Sequence, residues 1–345
     1  MKITHFIFGD FTQLLSENFS NKKNIRIDYS SDSISMLILI IILLFNSAVL
    51  NFIIKKKRAE KFLLIIEYVC INYISVILIK YGADKIFQIQ FPTPESNILF
   101  TRFGNLDQDI LFWSIIGTSK IYNLIIGSIE FFTGILLLFK RSLFLGLLLA
   151  IISFSQIFII NIGFDISVKF FSLILLLMSI FLVRETGWKL ILIIIRVPRK
   201  TYFDQATFLP YKAFLKILIV GILFIKLGIS YFNKEDEKNP LNLVGAYHVS
   251  SPESPYQYLF FHKDQYLIFM DKSSEKMSAF HYDISVDNQI ILKDDKDNMS
   301  KHRLLKNQKD STITFYFKNQ KINAKAIDFK KMNVSQDRFH ILTDY

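Results

Sequence analysis

At 345 residues, 51% hydrophobic and with a mean hydropathy of +0.33, the chain is too apolar for an ordinary soluble protein. Its formal charge of +11 would suit a nucleic-acid binder, but residues 233–345 carry 17 Lys and Arg against 16 Asp and Glu. About ten of the excess charges therefore lie among the apolar runs of residues 1–232, a positive-inside pattern that excludes nucleic acid and names the lipid bilayer as the chain's partner.

Residues 1–33 are polar and lack the charged start, apolar centre and small-residue cleavage site of a secretory signal. The first apolar run, 34–54, stops at Lys55, Lys56, Lys57 and Arg58, which places that end in the cytoplasm. A second run, 62–81, leads out into a loop, 82–111, that holds Pro92 and Pro94. A third, 112–139, returns to Lys140 and Arg141. The fourth, 143–162, exits to a short turn at 163–165, and the fifth, 167–183, comes back to Arg184. Residues 188–197 are apolar but too short to cross, so they read as an interfacial segment among Lys189, Arg196, Arg199 and Lys200. A sixth run, 214–232, exits again. Every basic loop agrees with one orientation, with both termini outside.

Beyond residue 240 the pattern changes from long apolar runs to short alternating ones. Residues 244–249, 256–261, 265–270, 277–284, 289–292, 312–317 and 321–329 read as strands separated by hairpin-length turns. About seven antiparallel strands in a hundred residues imply a small barrel or sandwich. The expected architecture is a polytopic α-helical membrane bundle of about six transmembrane helices (34–232) followed by an extracytoplasmic antiparallel all-β domain (241–345).

Ionisable groups inside a bilayer are costly, so each is a candidate for function. Glu130 sits near the middle of the third span, with Gly127 and Gly134 at −3 and +4 on the same helix face. Small residues there let a neighbouring helix approach, and Ser119, Tyr122 and Ile126 extend that face. Glu130 reads as a polar clasp between helices, as a proton-handling group or as a ligand contact. Glu67, near the cytoplasmic end of the second span, reads as paired with Lys61 or the basic loop beside it. Toward the outer leaflet, Lys80 and Asp84 stand four apart with Lys85 beside them, Asp165 and Lys169 stand four apart, and Asn161 and Lys120 lie near the same level. A polar pocket roofed by residues 82–111 would gather them; ordinary interfacial pairing is the alternative.

Cys70 is the single cysteine, which rules out an internal disulfide, a CxxC redox pair and a multi-cysteine metal site; its setting is that of a buried structural thiol. Nucleotide-loop, zinc-protease and hydrolase signatures are missing. His262 and His281 have no third ligand at metal-like spacing, so no metal or other cofactor is evident.

Residues 80–183 resemble the DoxX-like superfamily, in particular its larger Bacteroidetes-type members with a C-terminal β-domain. The likeness rests on Tyr81, Gly82, Lys85, Phe87 and Gln90–Phe91–Pro92; on Arg102 and Gly104; on Gly117, Ser119, Tyr122, Gly127 and Glu130; and on Lys140, Arg141, Leu145 and Gly146. Asn161, Asp165, Val168, Lys169 and Ser172 complete it. It extends more faintly to residues 243–249 and to Phe339–His340. The resemblance implies a helical bundle in the bacterial inner membrane with a redox or quinone-linked accessory role, as in thiosulfate–quinone oxidoreductase subunits. It also implies a further amino-terminal span, for which residues 1–33 offer no apolar run, and an acidic stretch that is poorly kept at residues 28–32. Combined with the residue reading, it favours a non-catalytic binding or accessory protein. The ligand it leads one to expect is a quinone or other lipid-soluble molecule, or a membrane-protein partner. Glu130, Lys80, Asp84, Lys85, Tyr122, Asn161, Asp165 and Lys169 are the residues expected to line its site. A proton-coupled transporter or membrane enzyme using Glu130, in enzymatic form a quinone-linked oxidoreductase subunit, and an interaction module acting through the β-domain are the competing readings.

Overall fold

The computed structural model describes residues 12–13, 15–18, 27–29, 31–53, 56–195, 218, 220–222, 224–226, 228–229, 243–284, 289–294, 298–307, 310–317 and 320–335. Most of the polar tail 1–33 and of the sixth apolar run, 214–232, lies outside these residues. The chain divides into two compact units, Met1–Ile86 with Leu124–Ile225, and Phe87–Asn123 with Lys226–Tyr345.

The first unit is helical. It contains α1 (Ile34–Ile53), α2 (Lys56–Ile86), most of α5 (Lys120–Leu137), α6 (Leu143–Gly163) and α7 (Lys169–Ile195). Three helices among the described residues, Ala59–Ile86 within α2, α5 and α6, are long and apolar enough to cross a membrane. Between their polar ends, most of their outward side chains are Leu, Ile, Val and Phe: Leu64, Ile152, Ile159 and Phe132 are all more than 60% exposed. A helix that is apolar all round suits a lipid environment, where water does not penalise such a surface. The interior is small and apolar, with Ile74 and Leu78 of α2 against Leu137, Leu147, Ala150, Phe154 and Leu175.

Two expectations need correction here. The third run, 112–139, is two helices, α4 (Gln108–Thr118) and α5, because Ser119 adopts an extended conformation between them. Most of the fifth run and residues 188–195 of the interfacial segment lie on one helix, since α7 continues past Arg184 to Ile195; residues 196–197 lie outside the described residues. Arg184 does not end the helix because its charge is satisfied within the unit. Its guanidinium donates to Phe181 O at 2.8 Å and pairs with Glu67 of α2 at 2.6 Å. Glu67 is thus paired as expected, with a different partner.

The second unit holds α3 (Ser96–Phe100), a 3-10 turn at Phe103–Asn105, α4 and an eight-stranded barrel. The strands β1 (Gly245–Val249), β2 (Tyr256–Phe261), β3 (Tyr266–Asp271), β4 (Met277–Ile284), β5 (Gln289–Lys293), β6 (Met299–Asn307), β7 (Thr312–Phe317) and β8 (Gln320–Ala326) each pair antiparallel with the next. Pairing of β1 with β8 closes the ring. The barrel alternative is therefore the one observed, with one strand more than the sequence pattern suggested. That strand is β6, where Leu304 is the one fully buried residue among Lys, Arg, His and Ser. The interior is filled by Leu, Ile and aromatic side chains, including Phe261, Phe269, Tyr282 and Phe315, so it is a packed core.

A second cluster lies on the outside of β1–β3, where Ala246, Phe260, Ile268 and Met270 are buried. Phe100 of α3 covers them, with its ring 4.7 Å from Tyr258 and 5.7 Å from Phe260, and Phe329 joins the same cluster. Arg102 adds an ion pair to Glu275 at 2.5 Å. Part of the loop expected to roof a polar pocket is therefore used to cover an apolar face of the barrel.

Candidate functional site

The central feature is a buried ion pair between α2 and α5. Lys85 Nζ donates to Glu130 Oε2 at 2.7 Å, and the two side chains are 6% and 4% exposed. Glycines bring the helices together at this point. A Cβ on Gly127 would lie 2.6 Å from Gly82 O and 2.9 Å from Lys85 Cβ, and one on Gly82 would lie 2.6 Å from Gly127 O. Two turns further, Ser75 Oγ donates to Gly134 O at 2.7 Å, where an added Cβ would again meet Ser75 O. The helices therefore run almost backbone to backbone, and only small residues permit it.

Lys80, Tyr81 and Asp84 extend this group along α2, which runs five residues beyond the expected end of the second span. Lys80 Nζ donates to Asp84 Oδ2 at 2.5 Å; the lysine is half exposed and the aspartate buried. The Tyr81 ring stands beside both cations, its centroid 5.2 Å from Lys80 Nζ and 5.9 Å from Lys85 Nζ. Two lysines and two carboxylates thus surround one tyrosine, a set with no net charge that offers both donors and acceptors.

Asn161, Asp165 and Lys169 form a different group, at the turn between α6 and α7. Asn161 Nδ2 donates to Ser172 Oγ at 3.0 Å, and the Asn161 backbone carbonyl accepts the Ile166 N–H at 2.9 Å. Lys169 Nζ pairs with Asp165 at 2.7 Å and lies 3.6 Å from Asp32. Asp32 also accepts the Lys169 and Phe170 N–H groups at 3.0 and 2.9 Å. Its carboxylate takes up free donors of the first turn of α7, where the helix dipole favours negative charge. Each of these polar groups holds a helix end or a turn, so the arrangement is a clasp. Tyr122 belongs to neither group; it is exposed, and Ser119 Oγ accepts its backbone N–H at 3.2 Å. Lys120 is also exposed.

Three contributors were not among the expected site residues, although Tyr81 and Gly82 belong to the motif that carries the resemblance. Tyr81 had a local signal, since it adjoins Lys80 and lies four before Lys85. Gly82 is legible only once α5 is known to cross α2 there. Asp32 caps a helix 137 residues away, and no local pattern announces that. The break between α4 and α5 is bridged by Asn123, which is 1% exposed and whose Nδ2 donates to Ile116 O and Ser119 O at 2.8 and 3.0 Å. Gly117 stands against Pro92, where a Cβ would come within 2.1 Å of the Pro92 carbonyl oxygen. Among the described residues no group of three or more His, Cys, Asp or Glu side chains could hold a metal ion.

No protein-family model matches the chain, and neither the curated proteins nor the solved structures contain a significant match.

Proposed function

We propose that the chain is a DoxX-like multi-span protein of the bacterial inner membrane whose helical unit holds a lipid-soluble ligand, a quinone, at the Lys85–Glu130 pair. The six-span reading places both termini and the barrel on the extracytoplasmic side. It is supported by the alternation of the basic clusters at residues 55–58, 140–141 and 184–200. The resemblance over residues 80–183 supports the quinone over other lipid-soluble molecules.

The observation that carries the binding reading is the buried pair itself. Two well-packed apolar side chains would satisfy a helix crossing at least as well as an ion pair, because desolvation offsets most of the Coulomb attraction. An ion pair kept in an apolar medium therefore points to use. The group also has the chemistry a quinone requires. Lys80 is a half-exposed donor for a carbonyl oxygen, Glu130 is an acceptor for a hydroxyl, and the Tyr81 ring offers an aromatic face.

Protein purified in mild detergent should carry an enriched quinone detectable by mass spectrometry of the extract. Glu130→Gln, which keeps an acceptor for Lys85, should retain it; Glu130→Leu should lose it by about tenfold, the effect of about 1.4 kcal/mol. A preparation with no enriched lipid-soluble species sinks the reading. The second reading, a proton-coupled transporter or membrane enzyme, is favoured by the burial of a carboxylate beside a cation. It makes the opposite statement about Glu130→Gln, which would abolish activity because the amide carries no titrating proton.

A further inference from the structure

We propose that the outer face of β5–β8 docks on the anionic headgroups of a phospholipid membrane. Strand alternation sends Leu304, Phe315 and Ile322 into the barrel, so Arg303, Tyr316 and Lys321 face out and are exposed. Phe315 is the register partner of both Leu304 and Ile322, and Tyr316 pairs with Lys321. Arg303, Tyr316 and Lys321 consequently form one cross-strand row of about 10 Å, two strand spacings. Lys301 lies two residues before Arg303 on the same face, and Lys325 lies beyond Lys321, paired with Thr312 and His248. Lys301, Arg303, Lys321 and Lys325 are exposed, and among the described residues none of the four is engaged in an ion pair. Asp283, opposite Ile291 on β4, is the one outward carboxylate among the described strand residues of β4–β8.

The side chains between these cations identify the occupant. Met299 is 71% exposed, and Leu305 and Tyr316 are each 38% exposed on the same face. A soluble anion would match the charge but not the apolar groups. A bilayer surface matches both, because cations meet phosphates while Tyr, Leu and Met reach the level of the glycerol backbone. The contrasting outer face, on β1–β3, is apolar and already covered by Phe100 and Phe329. The proposal depends on the chain being membrane-embedded and not on the identity of any ligand at Lys85–Glu130.

The test uses full-length protein with Cys70→Ser and Asn323→Cys, a position on this face. It is placed in nanodiscs of phosphatidylcholine alone or with about 30% phosphatidylglycerol. The readout is the rate of modification by a bulky impermeant maleimide, normalised to a Ser273→Cys variant on the exposed β3–β4 turn. We expect the normalised rate to fall at least about fivefold in the anionic nanodiscs. It should recover at about 0.5 M salt, where screening is nearly complete beyond a few ångströms. Lys301→Glu, Arg303→Glu and Lys321→Glu together should abolish the slowing, and the salt titration carries the test if that variant does not fold. Equal normalised rates in the two lipids, or slowing that survives salt or charge reversal, would overturn the proposal. Co-purification of quinone is a separate readout and stands or falls independently.

Discussion

Lys85 and Glu130 meet at 2.7 Å with almost no exposed surface, whereas Lys169 and Asp165, at the same separation, leave the carboxylate 83% exposed. The two pairs differ in energy for that reason. Solvent screens the second to about 0–1 kcal/mol, while removing one partner of the first strands a charge in an apolar setting, at about 3–5 kcal/mol. Lys85→Met and Glu130→Leu should each lower the unfolding temperature sharply, and the double variant should recover most of the loss. Thermal unfolding in detergent measures this, and a double variant no better than either single one would show that the pair is not an isolated unit. Glu130 and its glycine neighbours were legible because a carboxylate inside an apolar run is conspicuous. Tyr122 misled because it lies eight positions before Glu130. At 100° per residue that places it about 80° away around the helix, off the face that meets α2.

Each helix and strand was legible to the extent that its apolar pattern stayed unbroken. α6 follows its apolar run closely, with Ser142 before it and Phe164 after it. α4 and α5 were read as one element because hydropathy does not register the Ser119 break, which depends on Pro92 crowding Gly117 and on Asn123 bridging the freed carbonyls. β6 was missed because its outward residues are charged and a single residue anchors it inside. Within the barrel, Tyr247 shows how burial couples a strand to pH. Its hydroxyl is pushed up to about 12, first by burial and then by the neighbouring Tyr282. The unfolded phenol titrates near 10, so this contribution is intact below pH 10 and is lost as pH rises toward 12. Alkaline titration followed by tyrosine absorbance and barrel circular dichroism should show unfolding within that window. Tyr247→Phe should shift its onset upward, and an unchanged onset would remove Tyr247 as the cause.

For the molecule as a whole, the division into a helical unit and a unit built around a barrel follows the composition break near residue 240 only in part. Residues 87–111 lie between apolar runs in the sequence and residues 112–123 open the third run, yet all of them belong to the barrel's unit, where Phe100 and Arg102 make their contacts. The orientation in the proposed function makes a prediction at this scale. In intact cells, an epitope after Tyr345 should be reached by an impermeant reagent once the outer envelope is opened. A thiol introduced by Lys56→Cys in a Cys70→Ser background should be reached only after the inner membrane is broken. Labelling of both positions from one side would rule out the six-span arrangement.

The sequence alone determined that long apolar helices precede an antiparallel β-domain, because hydrophobic period and run length are local properties that survive without knowledge of partners. It also picked out Lys80, Lys85 and Glu130, because charge in an apolar run is costly wherever the helix packs. Tertiary structure alone decided that Lys85 is the partner of Glu130, that Arg184 is the partner of Glu67 and that Asp32 caps α7. It also decided that Asn161, Asp165 and Lys169 form a clasp apart from the buried pair. Each of these contacts joins residues brought together by helix crossings and turns. A carboxylate's partner is whichever donor the packing delivers, and glycine-to-glycine approach fixes that only after the helices have met.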